Sequence, residues 1–140
     1  MKRFLRNYAF SIIIIAIIIY LSFFTPPKNN VPTFPNMDKL VHLCMYGGLT
    51  TLLWVQYFWC HKGIKWSHLI LGGIICPIVM SGLIEIGQSN LTETRSGEWM
   101  DFVANTIGVF LATIVSYYIL RPWIYKLKLN RKQSKNDSLL

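Results

Sequence analysis

Four stretches of this chain carry no charged side chain other than histidine: Asn7 to Pro27, Leu40 to His61, Trp66 to Ile84 and Phe102 to Leu120. Each runs 19 to 22 residues, and a helix of about 20 residues crosses the roughly 30 Å hydrocarbon core of a bilayer. The whole chain is 53% hydrophobic and only 14% charged, which is too apolar for an ordinary soluble domain of 140 residues. The expected fold is therefore an all-α membrane protein, a four-transmembrane-helix bundle in a single domain. Its spans fall at about 7–25, 39–60, 66–87 and 100–121, and a basic tail follows over 122–140. The first stretch resembles a secretory signal, but Thr25, Pro26 and Pro27 follow it without a small-residue cleavage pattern. It reads as a retained anchor.

The basic residues orient the bundle. With the N-terminus inside, Lys2, Arg3, Arg6, Lys62, Lys65, Arg121, Lys126, Lys128, Arg131, Lys132 and Lys135 share one side. Only Lys28, Lys39 and Arg95 fall on the other. Positively charged loops stay cytoplasmic, so both termini are expected in the cytoplasm. The formal charge of +8 then reflects topology and attraction to anionic inner-leaflet lipid; a nucleic-acid partner is not expected. Beyond Asn130 the tail reads as a disordered, solvated end.

Cys44, Cys60 and Cys76 form no disulfide framework and read as small buried apolar side chains. Cys60 beside His61 lacks the second ligand pair of a zinc site. No cofactor is expected, and no metal site is assigned: Asp, His and Glu could serve as ligands, but one histidine with scattered carboxylates is not a recognised zinc spacing. Gly47, Gly48, Gly72, Gly73 and Gly108 permit close helix approach. Pro77 removes the donor that would reach Gly73, so a kink is expected there. The proline-rich segment Thr25 to Met37 is expected to lie as an extended outer strap.

The acidic residues are one-sided. Asp38, Glu85, Glu93, Glu98 and Asp101 fall at the outer face in this topology, leaving Asp137 in the tail. Asp38 opens the second span with His42 one turn on, Glu85 is followed by Gln88, and Asp101 opens the fourth span with Asn105 one turn on. Spacings of three or four put each pair on one helix face. The candidate pocket is therefore Asp38, Lys39, His42, Glu85, Gln88, Arg95, Asp101 and Asn105. Glu85 stands out, because a carboxylate inside an apolar span is costly unless it faces the bundle or a wet cavity. Each of the others also has a structural reading: Asp38 and Asp101 as first-turn carboxylates on the helix dipole, Asn105 and Gln88 as interhelical amides, and Arg95 as a partner for Glu85 or Asp101.

Met37-Asp38-Lys39-Leu40-Val41-His42 with Tyr46, followed by Glu85-Ile86-Gly87-Gln88, Arg95, Asp101, Asn105 and Gly108, resembles the VanZ-like family, named after a teicoplanin-resistance accessory protein. The family pattern reads D-K-x-x-H, E-x-x-Q, a separated R, and D-x-x-x-N-x-x-G. Every element is present in order across residues 37 to 112. The resemblance implies a small multispanning bacterial plasma-membrane protein, linked in one member to lowered lipoglycopeptide sensitivity; it implies no established reaction.

Three functions fit the constellation. The pocket binds an amphiphile without chemistry, either a cell-envelope lipid, a lipid-linked precursor or a lipoglycopeptide. Alternatively, Glu85, His42 and Asp38 carry out acid-base hydrolysis or group transfer on a lipid-linked substrate, with Arg95 stabilising negative charge. A third possibility is a structural partner of another membrane protein. Binding is the preferred reading; covalent catalysis is disfavoured, since no serine or cysteine stands beside a plausible base in the motif. Topology is directly testable: reporter fusions at residues 30 and 95 should behave as exported and a fusion at residue 63 as cytoplasmic, and a cytoplasmic signal at either outer site would invert the orientation.

Overall fold

The computed structural model describes residues 2–23, 36–91 and 98–137. Their secondary structure is helical throughout: α1 (Lys2–Asn7), α2 (Ala9–Phe23), α3 (Met37–Cys60), α4 (Trp66–Ile70), α5 (Cys76–Leu91), α6 (Trp99–Val115) and α7 (Arg121–Asp137). A π-helical turn, Leu71–Ile75, joins α4 to α5, and a second, Ser116–Leu120, joins α6 to α7. The two resulting rods, Trp66–Asn90 and Trp99–Asp137, are each long and apolar enough to cross a membrane, and Ala9–Phe23 is a shorter apolar helix. Most of the proline-rich strap lies outside the described residues, as does the stretch 92–97 that contains Arg95.

α3 and α6 run side by side with their backbones in contact. A Cβ built on Gly108 would collide with the Leu43 carbonyl oxygen and lie 3.2 Å from the Gly47 backbone nitrogen; one on Gly47 would sit 3.4 Å from the Gly108 carbonyl oxygen. Glycine at these two positions lets the helix axes approach until main-chain atoms touch, the small-residue solution to packing without a hydrophobic driving force. Gly48 and Gly72, by contrast, face open space. Tyr46, Leu49, Val109, Ile84 of α5 and Ile18 of α2 fill the core around the crossing. A second cluster of Trp54, Tyr57, Phe58, Leu69 and Ile124 fills the opposite end.

Pro77 produces a π turn rather than a simple kink. The Cys76 N–H bonds back five residues to the Leu71 carbonyl, as expected where a proline interrupts the ladder. The Gly73 carbonyl, which would have accepted a bond from residue 77, instead accepts the buried Trp54 indole N–H at 3.4 Å. Gly73 itself is packed against that ring: a Cβ there would lie 2.5 Å from Trp54 Nε1. Pro122 follows the second π turn in the same way.

Two expectations are corrected. The tail is helical to Asp137 rather than disordered beyond Asn130. Elongating an existing helix costs far less than nucleating one, and α7 is anchored by Ile124 in the second core cluster. Lys128 donates to the Phe58 and His61 carbonyls at 2.6 and 3.1 Å. These are orphan carbonyls at the C-terminal end of α3, where a cation is favoured; burial pulls the Lys128 ammonium below the ordinary lysine value. The three cysteines are exposed rather than buried, because the tight interior positions are held by still smaller residues such as Gly108, Ser81 and Ala104.

α2 sits less closely. Its buried residues are Ser11, Ile18 and Ser22 on one stripe, and the Ser11 hydroxyl donates to the buried Gln56 side chain. Between α2, α3 and the α4–α5 rod lies an apolar cavity of about 710 Å³ that reaches Tyr8, Leu53, His61 and His68.

Because the Gly108 clash is with backbone, it cannot be relieved by a rotamer change. Gly108→Ala should cost about 1–3 kcal/mol, the range for overpacking, read as a lowered melting temperature in detergent. Gly48→Ala should be neutral or slightly stabilising; equal losses at both positions would refute the tight crossing.

Candidate functional site

The glycine crossing sets the register of everything near the starts of α3 and α6. Asp38 and Asp101 both lie in the first turn of their helices, and the shared register brings His42 beside Asp101. His42 Nε2 lies 3.6 Å from Asp101 Oδ2, with both side chains almost fully buried. That separation is too long for a hydrogen bond and makes an ion pair when the ring is protonated. Asp38, His42 and Asp101 each offer a ligand atom, and the three atoms lie within 4.8 Å of one another. The carboxylate facing the imidazole thus belongs to α6, not only to Asp38 one turn away on α3. Asp101 Oδ1 has no hydrogen-bond partner, so the carboxyl is directed across the helix pair rather than into a cap on its own helix.

α5 supplies the third wall. Glu85 is 8% exposed, neither carboxylate oxygen has a hydrogen-bond partner, and it lies within electrostatic reach of His42, Asp101 and Asp38. One turn deeper, Ser81 accepts from Asn105 Nδ2 at 2.7 Å, a buried bond that ties α5 to α6. Ser81 and Glu85 are four residues apart and therefore share a face; that spacing was the signal for Ser81, which sequence reasoning did not place in the site. Tyr46, 1% exposed, is a second addition, with its phenol near Glu85 and Ser81 yet in no hydrogen bond of good geometry.

Not every expected member joins this group. Gln88 Nε2 donates to the Ser22 carbonyl at 2.6 Å, tying α5 to the end of α2. Lys39 bridges to Glu98 at 3.3 Å on the surface, a pair of small energetic weight that links the starts of α3 and α6. Arg95 lies outside the described residues. Asp38, His42, Glu85 and Asp101 are thus brought together, and Tyr46, Ser81 and Asn105 extend the same polar level one turn deeper.

Six of the nine buried polar side-chain atoms without partners among the described residues belong to this level: His42 Nδ1, Tyr46 Oη, both Glu85 oxygens, Asp101 Oδ1 and Asn105 Oδ1. Buried polar groups are normally satisfied, so their concentration here singles out this level as the candidate site. A groove of about 270 Å³ leads to it, lined by Glu85 and by Gly82, Ile86, Ser89, Trp99 and Phe102. The Trp99 and Phe102 rings stack at 5.2 Å. The larger apolar cavity opens at the opposite end of the helices and shares none of these residues.

Comparison with known proteins adds no relative: no family model, curated protein or solved structure matches the chain.

The Asn105–Ser81 bond is the direct measure of how firmly α5 and α6 are held at this level. Ser81→Ala should cost about 0.5–1.5 kcal/mol, and its effect should shrink when combined with Asn105→Leu in a double-mutant cycle. Strict additivity would show that the two side chains do not interact.

Proposed function

We propose that this chain is a VanZ-like, multi-pass membrane protein of the bacterial plasma membrane, with four spans and both termini cytoplasmic. Its outward-facing polar pocket binds an amphiphilic cell-envelope lipid or lipoglycopeptide, and through that binding contributes to glycopeptide (teicoplanin) resistance. Support for membrane insertion comes from the two long apolar helices, from the large apolar side chains that line helix exteriors, such as Phe10, Leu83, Phe110 and Tyr118, and from the charge asymmetry of the loops. α2 is short for a span at 15 residues, and Asn7 to Pro27 supplies the remainder of the uncharged length.

The observation that carries the binding reading is the combination found at Glu85. A buried, unpartnered carboxylate forms part of the wall of a groove whose remaining lining is mostly apolar and aromatic. That arrangement suits a molecule with a hydrogen-bonding head and a hydrocarbon chain: the head reaches the level of Glu85, Asp101 and His42, while the chain lies along Ile86, Trp99 and Phe102 toward the lipid. Pockets of this kind take specificity from a few polar groups and affinity from apolar contact.

A second reading, acid-base chemistry on a lipid-linked substrate, is favoured by one observation. Glu85, Asp101 and His42 share a level without mutual hydrogen bonds, as a proton-transfer group awaiting substrate would.

Mass spectrometry of lipid co-purified with the wild type, Ile86→Trp and Glu85→Gln separates the readings. Ile86 is exposed on the groove wall, so the tryptophan should fill it and remove the bound amphiphile without disturbing the fold. Glu85→Gln keeps shape and an acceptor, so affinity should fall by no more than about tenfold, or 1.4 kcal/mol. A Glu85→Gln protein that binds normally but has lost an activity of the wild type establishes the enzyme instead. An Ile86→Trp protein that retains its full lipid complement overturns the groove as the binding site.

A further inference from the structure

The geometry points to a divalent transition-metal site of the zinc class, formed by Asp38, His42 and Asp101 where α3 and α6 begin. The inference rests on the polar cluster alone and stands whether or not the neighbouring groove holds an amphiphile.

Three observations carry it. The first is distance. One ligand atom from each of the three side chains lies within 4.8 Å of the others, and His42 Nε2 is 3.6 Å from Asp101 Oδ2. An ion with bonds of about 2.0–2.2 Å to nitrogen and oxygen holds neighbouring donors roughly 3–3.5 Å apart. The donors therefore need to close by only a short movement, which falls mainly to Asp38, the exposed member of the set.

The second is charge. Asp38, Glu85 and Asp101 converge on a single imidazole. Among the described residues, a proton on His42 offsets one carboxylate and leaves two. Lys39 is within electrostatic reach of Asp101, but its ammonium is engaged by Glu98 at 3.3 Å. A dication held by neutral His42 and the two aspartates forms an uncharged first sphere, which offsets the penalty for burying Asp101.

The third is the set of buried atoms without partners. Glu85, at 8% exposure, makes no hydrogen bond of good geometry through either oxygen, although the Glu98 backbone N–H is near, and it faces the same group of charges; Asp101 keeps Oδ1 unbonded. Glu85 is outside the three-donor set, where it fits an acceptor for a hydrogen on metal-bound water. Three protein ligands with an open side toward exposed Asp38 is the pattern of a site that admits a further ligand, in contrast to a closed four-ligand structural site.

Donor chemistry selects the ion. Calcium and magnesium take oxygen shells, whereas imidazole with two carboxylates suits zinc and its first-row neighbours. An ion here also gives an anionic headgroup, a phosphate or a carboxylate, something to bind among three negative side chains.

The test is zinc binding to the full chain in detergent micelles after chelator stripping, with stoichiometry by elemental analysis and affinity by calorimetry. One zinc per chain is expected. Asp38→Asn, at an exposed position where folding is not at stake, should weaken binding by tenfold or more. Asp101→Asn and His42→Ala should weaken it by at least about a hundredfold, beyond the range for removing an outer hydrogen-bond partner. The wild type with cobalt should show ligand-field absorption without thiolate charge transfer, a readout that does not depend on any variant's folding. A Cys44→Ser/Cys60→Ser/Cys76→Ser protein and a His61→Gln/His68→Gln protein should both bind as the wild type does. Less than one zinc per chain at saturation overturns the site. So does unchanged affinity in both aspartate variants, or loss of binding in the cysteine-free or His61/His68 variant.

Discussion

Contact between the backbones of α3 and α6 at Gly47 and Gly108 is the constraint on which the rest of the arrangement depends. Two helices of ordinary side chains pack with axes 8–10 Å apart, and at that spacing Asp101 would stand off from His42. Removal of both side chains at the crossing lets main-chain atoms meet. The register is then locked through α6, because a one-residue shift would bring Ile107 or Val109 to the place where Gly108 meets the Leu43 carbonyl. Everything at the start of the two helices follows from that lock: Asp38, His42 and Asp101 at mutual reach, and the surface bridge from Lys39 to Glu98 across the same two helix starts.

A second constraint acts at the opposite end, where proline is reconciled with a continuous helix. Pro77 takes away a donor, the π turn takes up the extra residue, and the freed Gly73 carbonyl finds the Trp54 indole. One polar group left over by the helix is thereby satisfied from α3. The same end carries the Lys128 contacts to the last carbonyls of α3. Polar groups at that end are largely satisfied, with Thr50, Thr113 and Ser116 as exceptions, whereas six of the nine buried atoms without partners among the described residues gather around Glu85. That contrast within one molecule is the strongest physical reason for reading the second region as functional.

The two regions also divide the apolar space. The groove beside Glu85 is small and has a carboxylate in its wall, whereas the larger cavity beneath α2 is lined chiefly by aliphatic and aromatic groups. Size alone would direct attention to the wrong end of the helices. A site needs polar groups that converge as well as room, and only the smaller groove adjoins them.

Composition and charge spacing made the helical class legible, because a run of some 20 uncharged residues has few other ways to satisfy its backbone. Periodicity of three and four placed Asp38 with His42, Asp101 with Asn105, and Glu85 near the same depth, since those relations are local to a helix. The partner of each group was beyond that reach. That His42 faces Asp101, that Asn105 bonds Ser81, and that Gln88 turns away to Ser22 were decided by which helices touch and in what register, and a one-dimensional pattern does not encode a rotation about a helix axis. The exposed cysteines and the helical tail were decided by tertiary structure too: the tight helix contacts went to residues smaller than cysteine, and the tail inherited a nucleus from the helix before it. The sequence alone therefore determined an all-helical, strongly apolar chain with its acidic groups gathered at particular helix ends. Only tertiary contact at two glycines decided that three of those groups share one small volume, because convergence of side chains from separate helices depends on interaxial distance, and that distance is set where the backbones meet.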